Sequence, residues 1–518
     1  MTEPSSMVSN ASASTALLDD LPTTDPRLWV QTLQQLVASG MREGRLGLIR
    51  DASLSPLAPE AVLAVRDGLD ALGARMGDVV LVKAGNDLHG AAAILGVWLH
   101  GCAACPVDPS AAPALHALIA EQSHAVAVIE ADGRMARAGD ARPTLLRARR
   151  ATGVDLAMKI FTSGSSGSPK GVVLTHSNVV SSLRAIATYL RLGPADRVLC
   201  VPPMFLDYGI YQLLFTLFTG CELVLATGLK SPLKILDLIA RSHPTVLPVV
   251  PALASGLTTV LNTFNQTVSS LRLVTNTGGH LAPATITALR RAFPAAQVVP
   301  MYGLTETKRA LFLPPQLVDA KPGSVGGPMP GLDARVVVTR DNGELEEAEP
   351  GEVGELYLRG ASVMQGYHRE DGAAGARIIH GRWRDDLWLA TGDLFERDAD
   401  GCLFFRGRSK SLIKQKGFCI YPRDLEAVAE ALPEVASAVV VGRNEPDGDE
   451  SAVLFAVLDG LDGPESAPDP DAVRDRILAQ LHKSVQPRYI EFLDAWPALA
   501  VGKIDLGALR RMAAEISR

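Results

Sequence analysis

The segment at 161–171 concentrates the residue types that bind phosphate. It contains Phe-Thr-Ser-Gly-Ser-Ser-Gly-Ser-Pro-Lys-Gly and follows an apolar run. Its glycines let backbone N–H groups converge, its hydroxyls add hydrogen-bond donors, and Lys170 adds positive charge. The spacing differs from that of the G-x-x-x-x-G-K-[S/T] loop. A Ser/Gly linker is the alternative, but a linker needs neither a strand before it nor Pro-Lys-Gly after it, so we favour a polyphosphate-binding loop.

Further short motifs combine glycine with charged or hydroxyl side chains. They are Tyr302-Gly-Leu-Thr-Glu-Thr307, Gly354-Glu-Leu, Gly360, Gly366-Tyr367, Thr391-Gly-Asp393, Gly407-Arg408, Lys414, Gly417, Glu426 and Gly502-Lys503. Taken singly, Glu306, Asp393 or Lys503 is most simply a solvated surface charge. That explanation is a poor one for the whole set, because the motifs follow one another in a recognisable order.

Together with the segment at 162–171, this order of motifs resembles that of the adenylate-forming superfamily. The superfamily holds acyl-CoA synthetases, luciferases and the adenylation domains of nonribosomal peptide synthetases. The similarity runs from about residue 160 to about 505. It implies an ATP-dependent ligase that joins a carboxylic acid to AMP, releases pyrophosphate and then transfers the acyl group to a thiol.

The resemblance also implies roles for individual residues. Attack of a carboxylate on a phosphate brings two anions together, so positive charge and a metal ion are needed where the charge develops. The implied cofactors are ATP and Mg²⁺. The implied catalytic residues are Lys503, Thr305 and Glu306, with Glu306 as the Mg²⁺ ligand. The implied ATP contacts are Thr162, Ser163, Gly164, Ser165, Ser166, Gly167, Lys170, Tyr302, Gly303, Asp393 and Arg408, of which Asp393 and Arg408 would bind the ribose.

The resemblance places the acid pocket along 205–212 and 276–280, with Asp207, Tyr208, Tyr211, Gly278 and Gly279 as candidate contacts. Asp207 falls where amino-acid adenylation domains pair the α-ammonium of their substrate. A carboxylate among apolar and aromatic neighbours is costly unless a cation pairs with it, which favours an amino acid. The alternative is a structural Asp207, since fatty-acyl-adenylate ligases carry a similar segment. His280, Lys308 and Arg309 are further polar candidates, which could face substrate, phosphate or solvent.

The resemblance also suggests how the acyl group leaves. Lys410 occupies the hinge position between a large and a small domain, and Gly417 the position that lines the thiol tunnel. Because the sequence ends at Arg518, soon after Lys503, we expect a carrier protein with a phosphopantetheine arm to act in trans. A CoA ligase for an aliphatic acid is the main alternative. A luciferase-like oxygenase and a catalytically inactive binding protein are further ones.

The elements that must position these residues follow from the apolar pattern. Helix-like segments alternate with short apolar strands, predicted at 79–84, 199–204, 222–227, 245–250, 271–276 and 297–303. This alternation predicts an α/β fold with layered, largely parallel sheets. Short strands and turns at 351–405 predict a β-rich subdomain. The remainder predicts a small α+β domain with a helix at 421–435, two strands and a helix near 473–482, and the resemblance implies that this domain is mobile.

The predicted organisation is a disordered tail at 1–26, a large adenylation domain at 27–409 and a small C-terminal domain at 410–518. The 518 residues are 47% hydrophobic and 21% charged, with a net charge of −7. No polybasic run favours nucleic acid or an anionic membrane as a partner. The apolar run at 91–107 is too short to span a bilayer, and no signal peptide begins the chain, so we expect a cytoplasmic protein. Cys102 and Cys105 are interpreted as core residues.

Overall fold

The computed structural model describes residues 30–140, 150–163, 169–229, 231–368, 378–383, 386–415, 418–445, 449–458, 468–497 and 504–516. The tail predicted at 1–26 lies outside these residues. The described helices are α1 (Leu33–Arg42), α2 (Pro59–Ala71), α3 (Leu88–His100), α4 (Pro113–Ser123), α5 (His176–Tyr189), α6 (Asp207–Thr219), α7 (Pro232–Ser242), α8 (Pro251–Thr263), α9 (Pro283–Ala292), α10 (Pro422–Glu430), α11 (Pro470–Ala479) and α12 (Leu506–Glu515).

The strands of the first half of the chain are β1 (Ile49–Arg50), β2 (Val79–Lys83), β3 (Ala103–Val107), β4 (Ala125–Ile129), β5 (Met135–Arg137), β6 (Leu156–Ser163), β7 (Pro169–Thr175), β8 (Arg197–Cys200), β9 (Glu222–Leu225), β10 (Val246–Val249), β11 (Leu273–Asn276), β12 (Gln297–Tyr302) and β13 (Leu311–Phe312). Those of the second half are β14 (Ser324–Pro328), β15 (Leu332–Thr339), β16 (Leu345–Glu347), β17 (Val353–Gly360), β18 (Gly366–His368), β19 (Ile378–His380), β20 (Leu387–Arg397), β21 (Leu403–Arg408), β22 (Ile413–Gln415), β23 (Phe418–Ile420), β24 (Val435–Asn444), β25 (Glu450–Leu458) and β26 (Tyr489–Leu493).

A seven-stranded sheet forms one layer of the large domain, in the order β18-β7-β6-β3-β2-β4-β5. Its central strands β6, β3, β2 and β4 are parallel. The edge strand β18 pairs antiparallel with β7, which places Gly366 opposite Val173 although the two are far apart in sequence. This long-range pairing brings the Gly366-Tyr367 motif to the hairpin that carries the predicted phosphate loop.

A fourteen-stranded sheet follows the order β1-β9-β8-β10-β11-β12-β13-β14-β21-β20-β17-β15-β16, with β19 paired to β20. The part from β1 to β12 is parallel. The part from β12 onward is antiparallel, and it contains the β-rich region predicted at 351–405. Residues at the carboxyl end of β12 therefore lie where a helix-covered parallel sheet becomes an antiparallel one.

The C-terminal region has a separate hydrophobic core built on the three-stranded sheet β24-β25-β26. Leu425, Val440, Leu454 and Ile490 contribute to this core from α10 and from all three strands. A two-stranded ribbon, β22-β23, precedes it. The fold class is thus the predicted one, an α/β N-terminal region followed by a smaller α+β region.

Several predicted boundaries were wrong, and prolines explain two of them. The strand predicted at 199–204 is β8 (Arg197–Cys200), since Pro202 and Pro203 cannot continue its ladder. The helix predicted at 421–435 ends at Glu430, ahead of Pro433, because proline breaks a helix interior. The helix predicted near 473–482 is α11, which begins earlier. Strand β26 and helix α12 were not predicted.

The cysteine pair Cys102 and Cys105 was predicted to lie in the core, and the apolar run at 91–107 was predicted to be too short to span a bilayer. Cys102 and Cys105 are both buried, with 0% exposure, and Cys105 lies on β3. Burial raises the pKa of the Cys105 thiol to about 12, so this thiol is protonated and packs as a small apolar group. The apolar run at 91–107 divides between α3 and β3. Among the described residues, no helix is both long enough and apolar enough to cross a bilayer.

Candidate active site

The hairpin β6-β7 carries the two ends of the predicted phosphate loop. Its antiparallel register places Thr162 opposite Lys170 and Ser163 opposite Pro169. The loop residues Gly164, Ser165, Ser166 and Gly167 lie outside the described part of the chain. The Lys170 ammonium lies 5.3 Å from the centroid of the Tyr367 ring, which β18 supplies. The hairpin therefore presents a cation beside an aromatic ring at the base of the loop.

Tyr367 links this hairpin to the carboxylate predicted to bind Mg²⁺. Its hydroxyl donates a hydrogen bond to Glu306 Oε1 at 2.5 Å. Burial, together with the Glu306 carboxylate, raises the pKa of Tyr367 well above its usual range, so the hydroxyl keeps its proton and remains a donor. Glu306 is also fixed through its backbone, because its carbonyl accepts the Met364 N–H at 2.8 Å. Both contacts orient the Glu306 side chain.

A tight turn after β12 carries Thr305 and Glu306. A Cβ on Gly303 would lie 1.9 Å from the Lys308 carbonyl oxygen, which explains why glycine is required there. The Lys308 N–H donates to the Leu304 carbonyl at 2.7 Å, and Lys308 itself has a left-handed φ of 68°. The turn therefore doubles back within a few residues and holds both predicted catalytic side chains on one loop.

Asp393 and Arg408 face each other across β20 and β21. Arg408 Nε lies 3.2 Å from Asp393 Oδ1, and the Tyr302 hydroxyl donates to Asp393 Oδ2 at 2.6 Å. The Asp393 side chain is 11% exposed, whereas the Arg408 side chain is 72% exposed. Burial raises the pKa of Asp393; Arg408 opposes this shift and the Glu306 carboxylate adds to it. We call Tyr302, Glu306, Tyr367, Asp393 and Arg408 the nucleotide side.

The nucleotide side has the chemistry that ATP and Mg²⁺ need. A carboxylate such as Asp393 accepts hydrogen bonds from vicinal hydroxyls, and a guanidinium beside it donates. Mg²⁺ is usually held by one or two carboxylates plus substrate phosphates, with several waters retained. Among the described residues, no cluster of three or more His, Cys, Asp or Glu could hold a metal alone. As a single carboxylate, Glu306 is the kind of ligand that a nucleotide-bound Mg²⁺ takes.

The candidate acid pocket begins at helix α6. Asp207 is the first residue of this helix and is half-buried, and an acidic side chain in the first turn interacts favourably with the helix dipole. The Tyr208 hydroxyl donates to the Thr275 carbonyl at 2.9 Å. The Tyr211 hydroxyl donates to the Val179 carbonyl at 3.2 Å and also contacts Ser182. These bonds fix both rings at the start of the helix.

Lys308 and Arg309 are each only 2% exposed. One of the possibilities left by the sequence was that both side chains face solvent. Their burial shows that this possibility is wrong. Lys308 Nζ donates to the Thr305 carbonyl at 2.7 Å. Burial lowers the pKa of Lys308 to about 8, and the carboxylates of Asp207 and Glu306 oppose that shift. The Arg309 guanidinium lies 4.6 Å from the centroid of the Tyr208 ring and 5.3 Å from that of Tyr211.

We call Asp207, Tyr208, Tyr211, Lys308 and Arg309 the acid side. Gly278 and Gly279 lie exposed in the loop after β11, at the rim of this region. His280 follows them and is half-buried; burial lowers its pKa to about 3, and Arg423 of the small domain adds to the effect. His280 is therefore neutral near pH 7 and lies close to the start of α10.

The residues predicted for domain motion are only partly described. Lys410 is exposed on a short 3-10 helix, Ser409–Ser411, which connects β21 to β22. Arg406 on β21, before this connection, and Asp424 on α10, after it, form an ion pair in which Arg406 Nη1 lies 3.2 Å from Asp424 Oδ1. Gly417 and Lys503 lie outside the described residues, and their roles stay predictions.

Sequence reasoning missed the contact that Tyr367 makes. The Gly366-Tyr367 pair was recognised as part of a motif, yet no function was attached to the tyrosine. The motif was therefore a usable signal, but the hydroxyl bond to Glu306 depends on the pairing of β18 with β7 and cannot be read from spacing.

The family described as AMP-binding enzyme matches residues 59–368, more than half of the chain. The family described as AMP-binding enzyme C-terminal domain matches residues 424–503. The two matches follow one another in the order in which the large and small domains occur.

This chain matches a different share of the length of each relative. An isonitrile lipopeptide synthase of Streptomyces coeruleorubidus is 31% identical over 468 residues, which are 85% of this chain and 30% of that protein. A sulfoacetate–CoA ligase of Cupriavidus necator is 32% identical over 352 residues, 67% of this chain and 65% of that protein. The solved structure of ATP-bound MatB from Rhodopseudomonas palustris is 26% identical with a TM-score of 0.75, covering 91% of this chain and 96% of that chain. The chain thus spans under a third of the lipopeptide synthase.

Proposed function

The chain belongs to the AMP-binding enzyme family, and from that premise we propose that it is an AMP-forming acid–thiol ligase. It would activate a carboxylic acid as an acyl-adenylate with release of pyrophosphate, and then transfer the acyl group to a thiol. The observation that carries the proposal is the nucleotide side, where two tyrosine hydroxyls hold Asp393 and Glu306 and Arg408 pairs with Asp393.

In the first half-reaction, the chain's residues would bind and orient the two anionic substrates. Asp393 would accept hydrogen bonds from the ribose hydroxyls, with Arg408 beside it as a donor. Lys170 and the hydroxyls of the loop at 162–168 would bind the phosphates that leave as pyrophosphate. Lys503 would bridge the attacking carboxylate and the α-phosphate, where negative charge accumulates.

Thr305 and Glu306 would act at the same reacting centre. Thr305 would hydrogen-bond a phosphate oxygen, and Glu306 would hold the metal ion, which supplies positive charge to the phosphates. The hydroxyl of Tyr367 orients the Glu306 carboxylate before the substrates arrive. A preorganised site of this kind avoids reorganisation during the reaction.

In the second half-reaction, the small domain would rotate about Lys410 and place Gly417 along the path of the incoming thiol. Hinge rotation that completes a second arrangement is a recurrent way to use one site twice. The exposed position of Lys410 between β21 and β22 is compatible with such a hinge.

For the acid, we propose an amino acid whose α-ammonium pairs with Asp207. The half-buried Asp207 at the start of α6, directly before the fixed Tyr208 in the chain, supports this assignment. A specific observation favours an alternative, an acid without an ammonium group. The buried Lys308 interacts electrostatically with Asp207, so that carboxylate already has a cation of the chain nearby.

For the acceptor, we propose the phosphopantetheine thiol of a carrier protein, supplied in trans. The similarity to a lipopeptide synthase over 85% of this chain supports it. CoA is the alternative, and the similarity to a sulfoacetate–CoA ligase supports that one. Family membership alone therefore does not choose between the two acceptors.

The test is pyrophosphate exchange over a panel of amino, aliphatic and aromatic acids, followed by transfer assays with CoA and with a phosphopantetheinylated carrier side by side. We expect acid-dependent exchange that requires Mg²⁺, and faster transfer to the carrier than to CoA. Absence of exchange with every acid would contradict adenylation. Faster transfer to CoA would replace the carrier assignment while leaving adenylation intact.

A further inference from the structure

Arg309 is the most unusual charged residue of the acid side. It is 2% exposed, and its Nε and Nη1 atoms are buried without a hydrogen-bond partner. Within the part of the chain that the structure describes, no carboxylate forms an ion pair with its guanidinium. An unpaired buried charge is costly, and a cation over an aromatic face recovers only part of that cost.

Other arginines of the same chain show how such stacking is normally completed. Four further arginines stack on aromatic rings among the described residues, and each of them also pairs with a carboxylate. These pairs are Arg359 with Asp386, Arg443 with Glu445, Arg474 with Asp471 and Arg488 with Glu445. Arg309 is more buried than any of these four side chains and is the one stacked arginine in the described residues that lacks an anion.

The aromatic neighbours of Arg309 are two of the candidate acid contacts. Its guanidinium lies over Tyr208 and Tyr211, whose hydroxyls are bonded away from it to Thr275, Val179 and Ser182. The two tyrosines therefore interact with the Arg309 guanidinium through their ring faces and not through their hydroxyls. The nearby carboxylates have other neighbours: Glu306 bonds Tyr367, and Asp207 lies within electrostatic reach of Lys308.

The backbone also fixes where Arg309 can be. It directly follows Lys308, whose carbonyl packs against Gly303, and Ala310 returns to the sheet by donating to the Tyr302 carbonyl at 2.8 Å. The turn that holds Glu306 at the reacting centre therefore also holds Arg309, three residues later, on the side of the acid.

We propose that the acid activated by this enzyme carries a second carboxylate, which binds the Arg309 guanidinium at the far end of the pocket. This inference rests on the proposed function and names the class of its substrate, a short dicarboxylic acid. The planar guanidinium fork matches a carboxylate in two parallel hydrogen bonds, and the Nε and Nη1 atoms of Arg309 have no other hydrogen-bond partner among the described residues. Binding would supply the anion that the other four stacked arginines already have.

Whether the substrate carries a second carboxylate is independent of whether it carries an α-ammonium group. A substrate with both groups, an acidic amino acid, would use Asp207 and Arg309 together. A dicarboxylic acid without an ammonium group would bind Arg309 alone, and Asp207 would interact with Lys308. The experiment therefore needs to vary the two groups separately.

Two sets of four acids provide that design. The five-carbon set is glutamate, glutarate, 2-aminopentanoate and pentanoate; the four-carbon set is aspartate, succinate, 2-aminobutyrate and butyrate. Each set combines presence and absence of the ammonium with presence and absence of the distal carboxylate. Pyrophosphate exchange gives kcat/KM for each acid with the full-length wild-type enzyme and with its variants.

We expect the wild type to prefer the dicarboxylic members of at least one set by about tenfold or more. Arg309→Met should lower kcat/KM for these acids by about a hundredfold, as expected when one partner of a buried charge pair is truncated. The loss should appear mainly in KM for the acid, and the matching monocarboxylic acids should be unaffected or improved. Arg309→Lys should lie between, because an ammonium keeps the charge but not the fork.

Arg443→Met is the matched control. Arg443 also stacks on a tyrosine, with its guanidinium 4.8 Å from the Tyr489 ring centroid, but it lies in the small domain on β24. Its substitution removes a stacked arginine without touching the acid side. We expect the ranking of the eight acids to remain that of the wild type.

Two results would overturn the inference. One is a wild type that prefers monocarboxylic acids in both sets. The other is an Arg309→Met variant that loses activity equally on all acids, which would make Arg309 a support for the tyrosine rings. Either result leaves the proposed adenylation standing, because exchange still occurs. Failure of exchange with all eight acids and with the wider aliphatic and aromatic panel would instead remove the proposed function and this inference with it.

Discussion

The nucleotide side and the acid side of the site differ in how their charges are satisfied. On the nucleotide side, Asp393 contacts Arg408 and Tyr302, and Glu306 accepts the Tyr367 hydroxyl. On the acid side, Lys308 donates to a backbone carbonyl, and the Arg309 guanidinium stacks on two aromatic rings with no carboxylate paired to it among the described residues. A site for an invariant substrate can be complete in advance, whereas the site for a selective substrate keeps charges that the substrate itself must satisfy.

The comparison predicts two kinds of mutational effect. Changes on the nucleotide side should lower activity with all acids alike. Changes on the acid side should alter the ranking of acids or the stability of the empty enzyme, because unpaired buried charges affect both.

Glu306→Gln should have the largest effect. Loss of the carboxylate proposed to hold the metal beside the reacting phosphates should lower adenylation by about a thousandfold. The measurement is pyrophosphate exchange with several acids at saturating ATP. All acids should lose activity by a similar factor, and a changed ranking would break the division between the two sides.

Lys308→Met should reveal the charge buried on the acid side. Burial lowers the pKa of Lys308 from 10.5 to about 8, so the unfolded chain binds more protons than the folded one between these values. The free energy of unfolding of the wild type should therefore rise relative to that of the variant by roughly 3 kcal/mol as pH increases from 8 to 10.5. Below pH 8 the difference should be constant.

Urea unfolding of both proteins across this pH range measures the effect. The relative comparison cancels groups that titrate in both proteins. Parallel curves for the two proteins from pH 8 to 10.5 would show that Lys308 is not desolvated.

Asp207→Ala should separate acids with and without an ammonium group. If Asp207 pairs with a substrate ammonium, its removal should raise the KM for an amino acid by about a hundredfold, a value below that of a fully buried pair because Asp207 is half-buried. The des-amino analogue should keep its activity. Equal losses for the two substrates would identify Lys308 as the true partner of Asp207.

Tyr367→Phe should have the smallest effect. It removes one hydrogen bond to a charged carboxylate and leaves Glu306 in place, so a loss of about tenfold is expected for all acids. Exchange rates measured at several Mg²⁺ concentrations should show a higher Mg²⁺ requirement. An unchanged Mg²⁺ dependence would mean that Tyr367 does not orient Glu306.

The nucleotide side was accessible from sequence because its residues lie in short glycine-containing motifs. Asp393 and Glu306 were identified in this way, and the structure places them close enough for Glu306 to raise the pKa of Asp393. Tyr367 could be located but not interpreted, because its partner depends on β18 pairing with a distant strand.

The acid side was less accessible because burial is a property of the folded chain. Lys308 and Arg309 are charged residues next to a loop motif, and in most proteins such residues are exposed. Their burial results from the turn that Gly303 closes, a close approach that spacing alone does not express. Similarly, β8 and α10 end earlier than predicted. The predicted ends followed the apolar pattern and did not take account of the prolines that come after each element.

The pairing of β18 with β7 has a consequence for how the enzyme is made. A nascent chain emerging from the ribosome contains β7 long before β18, and longer still before Arg408. At ordinary rates of translation, synthesis of the interval between the end of β7 at Thr175 and the start of β18 at Gly366 takes on the order of 10 to 40 s. During that time β7 has an open edge next to the phosphate loop, an arrangement that favours intermolecular strand pairing. Slow synthesis of this interval should therefore favour aggregation, and chaperones that shield strand edges should raise the yield of active enzyme.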